Sequence, residues 1–251
     1  MTGHPAATHI LVFGATGSVG SQVARRFVSA GNHVHLAGRD QSRLKAISDE
    51  LAMPFSVVDA ASSESIDLCY AQVSENDQPL HGVVNCIGSV LLKPAHLTTD
   101  EEWNETLTTN LFSSFAIVRG AVKMLKSSGG SIVLVSSAAA QIGIANHEAI
   151  AAAKAGVIGL TRSAAATYAG MNIRVNAVAP GLVRSNMTRR LWENPVSAEA
   201  SQQMHALGRL GEPDEVASLI QWLLQPSNTW ITGQIIGIDG GLASLLPRKR
   251  A

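Results

Sequence analysis

Short apolar runs alternate with longer stretches of helical period along almost the whole chain. Runs such as ILVF, SIVLV and VNAV are apolar at consecutive positions, which is typical of parallel strands buried on both faces. Turn residues bound these runs on either side. The predicted strands are His9–Phe13, His33–Ala37, Phe55–Val58, Gly82–Asn85, Ser131–Val135, Ile173–Val178 and Ile235–Ile238.

Between the strands, apolar positions recur three or four residues apart, as on the buried face of an amphipathic helix. The predicted helices are Val19–Ala30, Arg43–Leu51, Ser65–Val73, Glu101–Lys126, Glu148–Tyr168 and Asp214–Leu224. This regular alternation predicts repeated βαβ units. We therefore expect an α/β protein with a doubly wound Rossmann fold, in which helices cover both faces of a seven-stranded parallel sheet.

The chain is long and apolar enough for one sizeable core, since 46% of its 251 residues are hydrophobic. No Pro-, Ser- or Gly-rich linker divides it. We expect a flexible N-terminus at 1–8, a single domain at 9–246 and a basic C-terminal tail at 247–251. The tail is short, and we interpret it as a solvated end.

The charge balance argues for a small-molecule substrate in a pocket. With 19 basic and 19 acidic side chains, the chain has no electrostatic footprint for nucleic acid or an anionic membrane. No apolar run is long enough for a signal peptide or a membrane span. Cys69 and Cys86 lack the spacing of a metal site or a disulfide framework, so we expect a cytoplasmic protein without a metal.

A glycine-rich loop, Gly14–Gly20, joins the first predicted strand to the first predicted helix. Backbone N–H groups and the positive end of the helix dipole would face an anion there, such as the pyrophosphate of a dinucleotide. Turns also use glycine for steric reasons alone, but this position favours cofactor binding. The predicted cofactor residues of the loop are Gly14, Thr16, Gly17, Ser18, Val19 and Gly20.

The residue after the second strand bears on the choice of dinucleotide. A fold that prefers NAD usually offers a carboxylate there to the ribose 2′-hydroxyl, whereas Arg39 fits a 2′-phosphate. We therefore favour NADP(H) over NAD(H). Asp40 is expected to cap the next helix, and a merely solvated Arg39 is the alternative.

Further motifs, in order, resemble the short-chain dehydrogenase/reductase family over nearly the whole chain. They are Asp59, Asn85-Cys-Ile-Gly88, Asn110, Ser136-Ser137, Lys154, Pro180–Ser185, Gly208–Pro213, Ile231–Gln234 and Asp239–Gly241. The resemblance implies that Asp59 contacts the adenine and that Asn110 holds a proton-relay water. It implies further cofactor contacts from Asn85, Gly88, Lys154, Pro180, Gly181, Val183 and Ser185.

One departure from the family pattern concerns the proton chemistry. Members carry Tyr-x-x-x-Lys, and the position four residues before Lys154 is Ile150. Ser137 lies thirteen residues before Ile150, as the family pattern requires, so the register has not slipped. In the family the tyrosine gives a proton to the carbonyl oxygen, the lysine lowers its pKa and holds the ribose, and the serine polarises the carbonyl.

Two other groups are candidates for the missing proton donor. His147 lies three residues before Ile150 and could face the same pocket, although it is as readily a helix-capping residue. Lys154 could donate through a water if burial lowers its pKa. We therefore predict an NADP(H)-dependent oxidoreductase acting on a carbonyl, an alcohol or an activated double bond. The alternative is a catalytically silent nucleotide-binding subunit or redox sensor.

The segment Met187–Leu207 lies where the family has its substrate lid. Its candidate pocket residues, each of which is otherwise solvated or structural, are Arg189, Arg190, Trp192, Met204 and His205. Small residues at Ala151–Ala153, Ala155–Gly156 and Ala164–Ala166 allow close helix packing. The resemblance suggests a homodimer or homotetramer built on that face, with intramolecular packing as the alternative.

Overall fold

A computed structural model describes residues 7–75 and 78–246. Its centre is a seven-stranded sheet in the order β3-β2-β1-β4-β5-β6-β7, with each neighbouring pair parallel. The strands are β1 (His9–Phe13), β2 (His33–Gly38), β3 (Phe55–Val57), β4 (Gly82–Asn85), β5 (Gly130–Val135), β6 (Ile173–Pro180) and β7 (Ile235–Ile238). The predicted doubly wound α/β fold is confirmed.

Helices cover both faces of this sheet. They are α1 (Ser18–Ser29), α2 (Gln41–Leu51), α3 (Ser63–Ser74), α4 (Asp100–Leu107), α5 (Ser113–Leu125), α6 (Glu148–Tyr168), α7 (Arg189–Trp192), α8 (Pro195–Met204) and α9 (Pro213–Leu224). One apolar layer lies under α3, α5 and α6, and the other lies under α1, α2 and α9. Residues 10–13 of β1 alternate between the two layers, which is why this run is apolar at consecutive positions.

The single helix predicted at Glu101–Lys126 is interrupted. A π-helical turn at Thr108–Phe112 separates α4 from α5 and places Asn110 in the interior. The apolar pattern continues through the turn, so periodicity gives no sign of the interruption. Elsewhere the boundaries differ from the predicted ones by one or two residues, which is the usual uncertainty of an element end.

The described part of the domain begins before β1. Thr8 is buried, and both its backbone N–H and its hydroxyl donate to Asn32 Oδ1, at 3.0 and 2.8 Å. Thr8 therefore belongs to the packed domain, although the sequence placed it in a flexible terminus. The basic tail at 247–251 lies outside the described residues. Within 7–75 and 78–246, no helix has the length and apolar character needed to cross a bilayer.

The parallel arrangement brings the carboxyl ends of all strands to one edge. Strand order reverses between β1, whose chain continues towards β2, and β4 on its other side. A crevice forms at such a reversal, and ligands of open α/β sheets bind there. The glycine loop after β1 and the segment after β4 therefore meet at the expected binding position.

Two helical glycines differ in the space around them. A Cβ on Gly120 of α5 would overlap the ring of Tyr70, whereas a Cβ on Gly159 of α6 meets nothing within 4 Å. We expect Gly120→Ala to lower the free energy of unfolding by about 1–3 kcal/mol through overpacking. Gly159→Ala, the matched control, should raise it by about 0.5–1 kcal/mol through helix propensity. Urea denaturation measures both, and equal effects would contradict the packing argument.

A buried histidine on β2 predicts acid sensitivity. His35 is 3% exposed, its Nε2 lies 2.7 Å from Ser56 Oγ, and its Nδ1 bonds no described residue. Burial, with nearby His9, lowers its pKa from 6.5 to about 4. Since the unfolded chain binds this proton and the folded chain resists it, stability is full above pH 6.5 and falls as pH drops towards 4.

The loss attributable to His35 should reach at most about 3 kcal/mol, since each pKa unit corresponds to about 1.4 kcal/mol. Replacement of the imidazole by an apolar group, His35→Leu, should flatten the dependence of unfolding free energy on pH in this range. Denaturant titrations at pH 7, 6 and 5 provide the measurement. An equally steep dependence in the variant would place the sensitive group elsewhere.

Candidate active site

The glycine loop is shaped by contacts that leave no room for side chains. Gly14 has φ +76°, and a Cβ there would lie 2.8 Å from the carbonyl carbon of Cys86. A Cβ on Gly20 would overlap the carbonyl oxygen of Gly14. These contacts join the start of α1 to the ends of β1 and β4. The turn is thereby held tightly enough for a phosphate to approach its backbone.

The first turn of α1 is not capped by a side chain. Gly17 is the N-cap residue, and its own N–H donates to Gly14 O at 2.9 Å. The N–H groups of the following residues thus face the sheet edge without a side-chain acceptor from the cap. Such a helix end fits a pyrophosphate, so the geometry of the loop agrees with a dinucleotide cofactor.

Two arginines, Arg39 and Arg43, follow the end of β2 together with Asp40, whose carboxylate caps α2. Arg39 is exposed directly after the strand. Asp40 is the N-cap of α2, as the sequence indicated, and its Oδ1 accepts from Arg43 N at 3.1 Å and from Ser42 Oγ at 2.7 Å. These bonds keep its pKa below the ordinary value. Arg43, which the sequence analysis overlooked, donates from Nη2 to Thr16 O at 2.7 Å.

Asp59 follows β3 and is exposed. Its Oδ1 accepts from Ala61 N at 2.9 Å, and its backbone N–H donates to Ser65 Oγ at 2.9 Å. These contacts form a local turn that leads into α3. The predicted contact of Asp59 with the adenine stays a prediction.

The segment after β4 is held by two asparagines. Asn85 donates to Ser114 Oγ at 3.0 Å and accepts from Ile87 N at 2.9 Å. Asn110, fully buried, donates to Ser89 Oγ at 3.0 Å and accepts from Ser89 N at 3.2 Å. Its amide also donates to a carbonyl of the preceding helical turn, that of Thr106, at 2.9 Å. The Asn110 side chain therefore positions this segment.

Three of the expected site residues meet at Gly88. A Cβ on Gly88 would lie 3.1 Å from Asn110 Oδ1 and 3.5 Å from Lys154 Nζ. The methyl carbon of Met187, from the segment after β6, would be 3.9 Å away. The side chains of Asn110 and Lys154 therefore lie next to Gly88 at the carboxyl edge, and Met187 borders the same point.

Lys154 is a buried cation. It is 6% exposed, and its Nζ donates to the carbonyl oxygen of Val135, the last residue of β5, at 2.8 Å. Burial lowers its pKa from 10.5 to about 8, with a smaller opposing effect from the Cys86 thiol. Ser136, which follows Val135, also secures the lysine, because its hydroxyl donates to Lys154 O at 2.9 Å. Neither contact, of Val135 or of Ser136, could be predicted from the sequence motifs.

Ser137 keeps its own proton available. Its Oγ accepts from Ala139 N at 3.1 Å and so starts the short helical turn Ala138–Ala140. A hydroxyl that accepts in this way still has one O–H to donate. Ser137 is partly exposed at the end of β5, so this donor is accessible at the carboxyl edge of the sheet.

The start of α6 contains Ile150 and His147. Ile150 is 5% exposed and lies one helical turn before Lys154, so it contributes only hydrocarbon. His147 is the N-cap residue of α6 but makes no side-chain capping bond, and its Nδ1 lies 2.7 Å from the carbonyl of Ala145. His147 therefore occupies the N-cap position without capping the helix through its side chain, and its carbonyl accepts the ordinary first helical bond from Ala151 N at 2.7 Å.

A buried histidine, His205, holds the segment after β6 in place. His205 is buried, its Nε2 accepts from Leu182 N at 3.1 Å, and its Nδ1 lies 2.6 Å from Ser201 O. A Cβ on Gly181 would come within 2.5 Å of that Nε2. His205 is therefore structural, which resolves one of the two interpretations that the sequence left open.

The same segment reaches over the glycine loop. Asn186 N donates to Ser18 Oγ at 3.1 Å, and Trp192 Nε1 donates to Ser185 O at 2.9 Å. Pro180 ends β6, and Val183 forms a bridge with Gly211. The residues expected to bind the nicotinamide end thus border the same crevice as the glycine loop.

Comparison with known proteins shows which family the chain resembles. Residues 14–243 match the family model described as enoyl-(acyl carrier protein) reductase. A tropinone reductase homolog from Arabidopsis thaliana is 34% identical over 92% of this chain and 90% of the relative. A 3-oxoacyl-[acyl-carrier-protein] reductase from Aquifex aeolicus is 32% identical over 92% of this chain and 96% of the relative.

Solved structures give the same result. A short-chain type dehydrogenase/reductase from Mycobacterium ulcerans superposes with a TM-score of 0.91 at 28% identity, covering 94% of this chain and 90% of that one. A variant of actinorhodin polyketide ketoreductase, solved with NADPH, superposes with a TM-score of 0.89 at 27% identity, covering 98% and 100%. The chain belongs to the short-chain dehydrogenase/reductase family, and it is an oxidoreductase of that type.

Proposed function

We propose that this protein is an NADP(H)-dependent reductase of a small carbonyl compound or an activated double bond, in which Lys154 replaces the usual tyrosine as the source of the proton. The observation that carries the proposal is the buried Lys154 ammonium beside Gly88, at the crevice that the glycine loop borders. Relatives named as reductases and a neighbour solved with NADPH support the reaction class and the cofactor.

The glycine loop and the two arginines near β2 would hold the cofactor. Gly14, Thr16, Gly17, Ser18, Val19 and Gly20 would line the pyrophosphate, and Arg39 would contact the 2′-phosphate. At the other end of the cofactor, Lys154 would contact the nicotinamide ribose, while Pro180, Gly181, Val183 and Ser185 would border the amide. When bound, the reduced nicotinamide supplies the hydride. Asp40 supports NADP(H), because its carboxylate caps α2 instead of meeting a ribose hydroxyl.

Ser137 and Lys154 would act on the substrate oxygen. The O–H of Ser137 would donate a hydrogen bond to that oxygen and stabilise the negative charge that develops on it. Lys154 would pass a proton to the oxygen through a water, since a group with a pKa of about 8 is still protonated at neutral pH and releases its proton readily. The Asn110 side chain would keep the segment around Gly88 in place for this arrangement.

His147 is the less favoured candidate for the proton donor. Its Nδ1 lies at the carbonyl of Ala145, before the first turn of α6, whereas the Lys154 ammonium is buried at the crevice. Four residues of α7 and α8 remain candidates for substrate contacts, namely Arg189, Arg190, Trp192 and Met204. Their mixed charge and aromatic character would suit a polar or aromatic substrate.

Self-association is a further part of the proposal. In α6, Gly156 packs within the chain, because a Cβ there would lie 2.7 Å from Leu111. Ala152 and Ala155, in contrast, are exposed on the same helix. The small residues of α6 thus serve intramolecular packing in part, and the exposed ones support a homodimer or homotetramer.

A catalytically silent NADP(H)-binding subunit is the second candidate, and Ile150 favours it. In this case the cofactor would bind and no substrate would turn over, because the hydrocarbon of Ile150 transfers no proton. The next two experiments distinguish it from the reductase.

If Lys154 supplies the proton, carbonyl reduction should decline as pH rises through about 8, because only the ammonium form donates. Lys154→Arg keeps the positive charge but gives up no proton in this range, so it should retain NADPH binding while turnover falls by about 10²-fold or more. Steady-state rates from pH 6 to 10 and a fluorescence titration measure these quantities. Unchanged turnover in Lys154→Arg would assign the proton to another donor.

Ile150→Tyr should increase carbonyl reduction by about 10²- to 10⁴-fold, the usual contribution of a positioned acid. Ile150→Val is the control for altered packing and should leave the rate nearly unchanged. A panel of carbonyls and quinones tests both variants and the wild type with NADPH. Tight NADPH binding with turnover in Ile150→Tyr alone would contradict the reductase and establish the silent subunit.

A further inference from the structure

Arg43 lies against the glycine loop although 27 residues separate it from Thr16. It belongs to the first turn of α2, which Asp40 caps through the backbone N–H of Arg43 itself. From there its guanidinium reaches across to the carbonyl oxygen of Thr16 at 2.7 Å. Its other nitrogens bond no residue that the structure describes.

This contact lies beside the end of β2. A Cβ on Gly38, the last residue of β2, would lie 3.5 Å from Thr16 Oγ1. Arg39 follows Gly38 directly and is exposed, so its backbone lies next to the position where Arg43 contacts the glycine loop. In Rossmann folds the residue at this end of β2 faces the ribose 2′ position of the cofactor.

The charges around Arg43 are unequal. A cleft of about 450 Å³ runs from the glycine loop between α1 and α2, and Arg25, Arg43 and Glu50 are among its lining residues. Arg25 is neutralised by Glu50 through two hydrogen bonds of 2.7 and 2.9 Å. The Asp40 carboxylate keeps its charge near Arg43, but its hydrogen bonds come from Ser42 Oγ and the backbone N–H of Arg43. Among the described residues, the Arg43 guanidinium forms no salt bridge and donates only to Thr16 O, so its charge is available to an anion beside Thr16.

We propose that Arg43 is a specificity-determining residue that binds the 2′-phosphate together with Arg39. A phosphate dianion offers several acceptor oxygens, and the planar guanidinium pairs with two of them while one donor stays on Thr16 O. The contact to Thr16 holds the guanidinium in advance, so little side-chain freedom is lost on binding. This inference rests on the proposed preference for NADP(H), and it concerns binding alone.

The test compares dissociation constants of NADPH and NADH by fluorescence titration, and of 2′,5′-ADP and 5′-ADP by competition. Arg43→Met should weaken NADPH and 2′,5′-ADP by about 10- to 100-fold, the usual range for a charge-assisted hydrogen bond. The same variant should change NADH and 5′-ADP by less than about threefold, because they lack the phosphate. Arg43→Lys should give an intermediate loss, since it keeps charge without the planar fork.

Arg25→Met is the matched control, because it removes the same charge from the same cleft and should alter the NADPH to NADH ratio by less than about threefold. Equal weakening of NADPH and NADH in Arg43→Met would reduce Arg43 to a support for the glycine loop and overturn the inference. An unchanged ratio would also overturn it. A wild type without preference for NADPH would instead refute the proposed cofactor. Thermal melting verifies that each variant is folded.

Discussion

The close backbone packing around the β1–α1 turn is the constraint on which the rest of this structure depends. The carbonyl of Gly14 meets the backbone of Gly20, and Gly14 itself touches the backbone at Cys86. One turn thereby joins β1, α1 and the end of β4, with no side chain between them. The uncapped N–H groups of α1 and the segment that carries Gly88 consequently open onto the same crevice. The positions of the cofactor loop and of the catalytic candidates thus depend on the same contacts.

A second constraint is the burial of Lys154. Its ammonium is held by the carbonyl of Val135, and its backbone is held by Ser136, so β5 positions this residue of α6 twice. Removing a cation from water costs free energy, and the lowered pKa expresses that cost. An apolar side chain would avoid that cost, at the loss of one hydrogen bond to the carbonyl of Val135. The cost is understandable if the charge and its proton are used when cofactor and substrate bind.

The strands and the fold class could be predicted because parallel strands buried on both faces contain runs of consecutive apolar residues, and the prediction held for all seven. The break in the long helix could not, since the apolar period continues through the π-helical turn that buries Asn110. Arg43 and His205 could not be assigned either. Their roles depend on contacts with Thr16 and Leu182, and the sequence separation between the partners contains no information about those distances.

The two halves of the crevice differ in how closely they follow the family pattern. The half proposed to bind the cofactor has the glycine loop, the uncapped helix end and two arginines near the end of β2, all of which would suit a phosphorylated dinucleotide. The substrate half keeps the hydroxyl of Ser137 and the ammonium of Lys154, but Ile150 adds hydrocarbon where the family pattern has a phenol. Loss of one proton donor removes about 3–5 kcal/mol of barrier lowering, whereas positioning and oxyanion stabilisation together supply more. A site that retains those larger contributions can still use a bound cofactor for catalysis. The buried lysine therefore supports turnover more strongly than the isoleucine opposes it.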